Sequence, residues 1–127
     1  RLIYATHGHI YHVNNLPPLA PGDVLLHGHT HVPAWTEFGQ GNLYLNPGSV
    51  SIPKENSPHS YMTLEGNTMQ WKELESSAVF HELIKSPGRF CGQLEICPPV
   101  WYDKTENRSA KFRRAVLCGA EAFLFLQ

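Results

Sequence analysis

The chain has 127 residues, 42% of them apolar and 17% charged, which suits one water-soluble domain with a modest core. Its formal charge of −1 offers no basic surface to a polyanion, so neither nucleic acid nor a membrane is expected as a partner. No run of about 18 apolar residues could span a bilayer and no basic segment leads an apolar one into a signal peptide, so a cytoplasmic protein is expected.

The chain enters LIYAT directly after Arg1, as if in the middle of a buried strand. A domain rarely opens so abruptly, and a fragment whose N-terminal part lies elsewhere is expected. That first strand, Leu2–Thr6, stops at His-Gly-His, as a sheet strand does when it delivers a loop. Pro17, Pro18, Pro21 and Gly22 make the next stretch a connection. Residues 24–26 then form a second short buried strand that again ends in histidines. Residues 35–38 and 42–45 flank Gly-Gln-Gly and suggest a hairpin. In NPGSVSIP, residues 46–53, proline and glycine set a tight turn, and a strand with Val50 and Ile52 on one face is predicted after it. Residues 60–65 and 68–74 read as two strands joined at Gly66 and Asn67, with Met69 and Trp71 pointing the same way.

Beyond Glu75 the character of the chain changes. Up to that residue three Lys/Arg face six Asp/Glu, whereas afterwards seven face five. Seven of the eight histidines lie in the first part, and Cys91, Cys97 and Cys118 all lie in the second. Residues 78–85 suggest a helical turn or two, residues 91–102 a brief strand before Pro98, and residues 111–126 a helix that is apolar on nearly every side. Two regions are therefore expected: residues 1–75 as one domain part, and residues 76–127 as an unassigned tail of fused or frameshifted origin.

Two loops carry the chemistry. THGH ends the first strand at residues 6–9, and HGHTH ends the second at residues 27–31. In open α/β sheets ligand sites lie just outside the carboxyl ends of strands, so two such loops can converge. Neutral imidazole suits borderline metals, and Gly8 and Gly28 let the backbone crowd a small ion. A lone histidine at a strand end is more often a surface or hydrogen-bonded residue than a ligand; two clusters in one short chain reverse that balance.

The series strand-THGH, GDVLLHGHTHVP and NPGSVSIP resembles the C-terminal half of the calcineurin-like metallophosphoesterases, over about residues 1–75. The resemblance implies an α/β fold: the C-terminal half of a metallophosphoesterase β-sandwich flanked by helices, strand-rich in this chain. It also implies a phosphodiesterase acting on a small phosphodiester at a dinuclear centre of divalent ions, manganese first, with nickel, iron or zinc as alternatives. By that pattern His7, His29 and His31 are metal ligands. His9 and His27 fall outside the ligand set, as supporting or surface residues, and Asn46 and Ser49 shape the loop below the site.

The family's Asp-x-His, its bridging Gly-Asp and its Gly-Asn-x-Asp do not occur here, and Asp23 lies in the turn before the second strand. The chain would thus carry only the histidine half of the centre, and no catalytic residue is assigned. The alternatives are a non-catalytic, protein-binding scaffold of the same fold or an inactive truncated product. A homo-oligomer is compatible with each.

Other features have plainer explanations. Cys91 and Cys97 are too far apart for a zinc knuckle and read as incidental thiols. The basic run RSAKFRR at residues 108–114 reads as a solvated face, and Trp35, Trp71 and Trp101 as packing residues.

Overall fold

The computed structural model describes residues 2–85 throughout, together with the backbone of three later strands, Gln93–Ile96, Arg113–Val116 and Ala122–Leu124. The strands in chain order are β1 (Leu2–Thr6), β2 (Val24–His27), β3 (Ala34–Phe38), β4 (Asn42–Asn46), β5 (Ser60–Glu65), β6 (Thr68–Glu73), β7 (Val79–Ile84), β8 (Gln93–Ile96), β9 (Arg113–Val116) and β10 (Ala122–Leu124). The described residues contain no helix.

The strands form a mixed six-stranded sheet in the order β3-β4-β2-β1-β8-β9 and an antiparallel four-stranded sheet in the order β10-β5-β6-β7. In the first, β1, β2 and β4 run parallel, while β3 returns antiparallel to β4 through the Gly39–Gly41 turn. Parallel strands are normally covered on both faces and read as unbroken apolar runs, and β2 follows that rule: Val24, Leu25, Leu26 and His27 are all buried. Val24 and Leu26 join Ala5, Leu43 and Leu45 in a core cluster completed by Met62, Met69 and Trp71 of the second sheet. Trp71 is fully buried, and its Nε1–H donates to the Asn46 carbonyl at 2.7 Å, so the largest side chain of the core leaves no polar atom unpaired.

Three expectations are corrected. No strand follows the NPGS turn: Ser49 makes only an isolated bridge to His59, and Ile52 is 62% exposed. The Ser49 hydroxyl instead accepts the amides of Ser51 and Ile52, and a backbone curled onto a side chain cannot also extend along a neighbour. Residues 78–85 form β7, paired to β6 across a register shift between Trp71 and Lys72, rather than a helical turn. Within residues 111–126, β9 and β10 are strands where a helix was predicted, paired with β8 and β5. The three cysteines, Trp101 and the side chains of the 108–114 run lie outside the described residues.

Candidate functional site

Register decides where the loops emerge. Thr6 of β1 pairs with His27 of β2, and Leu26 of β2 pairs with Leu45 of β4, all three strands running parallel. The chain therefore leaves the sheet at one edge three times, as His7-Gly8-His9, as Gly28-His29-Thr30-His31 and as Pro47-Gly48-Ser49. This is the carboxyl edge, where open parallel sheets bind ligands.

At that edge His29 Nδ1 lies 3.1 Å from His7 Nε2, with the rings nearly perpendicular at 76°. Both side chains are exposed, and His9 stands beside His7 with ring centroids 5.3 Å apart. His29 is held below the usual imidazole range, first by loss of water around the crowded ring and then by repulsion from His7 and His9. A proton is therefore disfavoured at His29, which leaves its ring a lone pair.

His31 is pinned from both sides. Its Nδ1–H donates to the Ile52 carbonyl at 2.8 Å, and its own carbonyl accepts the Lys54 amide at 3.1 Å. A carbonyl only accepts, so Nδ1 carries a proton, and in the neutral ring the lone pair is on Nε2. A histidine ligand held through its other nitrogen has this arrangement.

Asn46 ties the loops together from beneath. Fully buried, it donates from Nδ2 to the Gly28 carbonyl at 3.0 Å and to Thr30 Oγ1 at 2.8 Å, while its Oδ1 accepts the Gly48 amide at 2.9 Å. Ser49, also buried, accepts from Ile52 N–H at 3.0 Å, and Ile52 in turn holds His31. The loop needs such holding because His29 and His31 both take left-handed angles, φ 66° and 63°, which non-glycine residues adopt at a cost of about 1 kcal/mol or more each.

His27 is not a surface residue but lies buried behind the exposed His7–His29 contact. It is 2% exposed, and its ring lies 4.5 Å from that of Tyr44. Its Nδ1–H donates to the Gly28 carbonyl at 3.0 Å, which leaves Nε2 a buried acceptor without a hydrogen-bond partner. Burial, above all, holds it below the usual imidazole range. Gly8, at φ 106°, lies directly against this ring; a Cβ there would stand 2.7 Å from His27 Nδ1. Asp23 lies at the opposite edge, where its carboxylate accepts the amides of Leu2 and Ala20, each at 2.9 Å.

Among the described residues, no three His, Cys, Asp or Glu side chains converge as one metal-holding group. The His7–His29 pair alone nevertheless fits an ion: two nitrogens each ~2.1 Å from a shared metal stand roughly 3 Å apart when they occupy neighbouring positions of its shell. Sequence reasoning missed His12, Val13, Asn14, Thr30 and Tyr44, which line a hollow beside His29. Nothing in their spacing marks them, because they come from three separate segments.

The chain belongs to the calcineurin-like phosphoesterase superfamily, whose domain profile matches residues 1–69. It is 38% identical over 85 residues to the phosphodiesterase YfcE of Escherichia coli, an alignment covering 67% of this chain and 46% of that protein. To the probable metallophosphoesterase YsnB of Bacillus subtilis it is 36% identical over 76 residues, covering 53% of this chain and 44% of the other. The solved structure of the E. coli phosphoesterase YfcE superposes with a TM-score of 0.58 at 39% identity, over 62% of this chain and 43% of that one. The chain thus spans about half the length of the curated relatives it matches.

Proposed function

We propose that this chain carries the histidine half of a dinuclear phosphodiesterase centre, with His7, His29 and His31 as ligands to divalent ions. Manganese is the first candidate, and the acidic half would come from residues outside the chain. The observation that carries the proposal is the His7–His29 contact of 3.1 Å at the carboxyl edge of parallel strands, in a chain of phosphoesterase ancestry. When bound, such ions supply charge for a phosphate oxygen and acidify a water for attack on phosphorus.

The remaining roles belong to the protein. His7 and His29 offer facing nitrogens from adjacent loops. His31 offers Nε2, its tautomer set by the Ile52 carbonyl. Asn46 holds Gly28 and Thr30 on either side of His29, and Ser49 holds the segment that holds His31. The complete sandwich with flanking helices is the fold expected once the other half is present. Within this chain we propose residues 1–75 as the phosphoesterase part and residues 76–127 as a tail whose strands β7, β8 and β10 pair with β6, β1 and β5 of the two sheets.

The test is hydrolysis of bis-p-nitrophenyl phosphate with added manganese, by the chain alone and by the chain joined to a segment supplying the three acidic motifs. Turnover is expected from the joined form and is expected to vanish on His29→Ala. A joined form that folds yet neither binds manganese nor turns over would overturn the proposal in favour of a non-catalytic scaffold.

A further inference from the structure

A hollow of about 360 Å³ opens beside His29, walled by His12, Val13, Asn14, Thr30 and Tyr44. Its volume lies at the small end of the range for small-molecule sites, enough for one ring system and too little for a polymer. No lysine, arginine, aspartate or glutamate is among the described residues that line it. A second phosphate or a carboxylate entering there would meet the imidazoles of His9, His12, His27 and His29 and the polar groups of Asn14 and Thr30 but no lysine or arginine, and an ammonium no carboxylate, which favours an uncharged group. What the walls do offer is flat, weakly polar surface. The rings of His27 and Tyr44 lie 4.5 Å apart, tilted by 31°, and Gly8, bare of a side chain, brings the backbone against His27. Asn14 and Thr30 add hydrogen-bonding groups at the exposed side, and His27, also in the lining, has a buried Nε2 with no hydrogen-bond partner.

The hollow and the facing imidazoles share His29, so a molecule whose phosphoryl end is held at an ion on His7 and His29 has its ester group beside the hollow lined by Thr30, Val13 and Tyr44. We propose that this hollow receives the organic group of the ester and selects an uncharged aromatic or heteroaromatic one, an inference that rests on the phosphoesterase reading above. Val13, Asn14 and Tyr44 are then specificity-determining residues, with no part in holding the phosphoryl end.

Two probes of the whole chain in amide NMR, with diamagnetic zinc present, separate this inference from that reading. Inorganic phosphate is expected to shift the amides of His7, Gly28 and His29 alone. Phenyl phosphate is expected to shift these and also Val13, Asn14 and Tyr44. Val13 is 45% exposed, so Val13→Glu leaves the core intact while placing a charge in the wall. It is expected to weaken phenyl phosphate about tenfold, a change of ~1.4 kcal/mol, and inorganic phosphate by less than about twofold. Phenyl phosphate shifts confined to His7 and residues 28–31, or equal binding by Val13→Glu, overturn the assignment of the hollow. Shifts at Val13, Asn14 and Tyr44 with none at His7 or His29 under either probe overturn the phosphoryl site instead and leave the aromatic pocket standing.

Discussion

His29 and His31 occupy a backbone conformation suited to glycine, and each carries a side chain there that the proposed chemistry needs. Strain of this kind persists only where surrounding bonds over-determine it. For His29 the over-determination is visible in the Asn46 bonds to Gly28 and Thr30 on either side. The prediction is a comparison of two variants that both lack the imidazole. His29→Gly is expected to unfold at higher urea concentration than His29→Ala, by about 1 kcal/mol, because only alanine retains a Cβ in the left-handed region. Both are expected to lose any rise in melting temperature on adding manganese; equal stability of the two would mean that residue 29 is not left-handed in solution. The histidines themselves were legible from the sequence, since paired clusters after apolar runs are uncommon. Their backbone angles were not, because HGHTH has its glycine at position 28 while the positive angles fall on positions 29 and 31.

Among the elements, the loop after β4 does most to shape the site, and its side chains act through hydrogen bonds rather than burial of apolar area. Asn46→Ala removes three hydrogen bonds and leaves the Gly48 amide without its side-chain partner, while the Gly28 carbonyl keeps the His27 Nδ1–H. At about 1 kcal/mol each, with more for buried groups left unpaired, a loss of roughly 3 kcal/mol is expected in urea unfolding. The accompanying amide shifts should concentrate at residues 28–31. Shifts spread evenly over β5 and β6 would mean that Asn46 supports the core through Trp71 rather than the loop. The same region explains where sequence pattern ran out. Val50 and Ile52 alternate as strand residues do, but Ser49 competes for the amides that a strand would give to a neighbour. In β7 the failure has a different cause. Val79, Phe80 and Ile84 are all exposed, so no apolar periodicity marks the strand, and it is set by long-range pairing with β6.

On the scale of the whole molecule, two sheets are held by a small apolar cluster, and two imidazoles sit within that packing without charged partners. His27 lies under Gly8 against Tyr44. His81 stacks on Trp35, with ring centroids 3.6 Å apart, and has a buried Nε2 that lacks a hydrogen-bond partner. Burial holds both below the ordinary imidazole value of 6.5. The unfolded chain, with ordinary imidazoles, therefore binds protons more readily than the folded one, and stability must rise with pH through this range. Their contribution is fully present above pH 6.5 and is lost as pH falls through the lowered folded values. Melting temperature is accordingly expected to drop between pH 7 and pH 5. His81→Phe keeps a flat ring against Trp35 and removes one titrating group, so its melting curve should flatten over that interval while matching or exceeding the native chain at pH 5. Parallel curves for the two proteins would mean that His81 is solvated in solution and that β7 does not pack against Trp35 as described. This outcome would also remove the Trp35–His81 stack as the contact that joins β7 to the six-stranded sheet bearing the histidine loops.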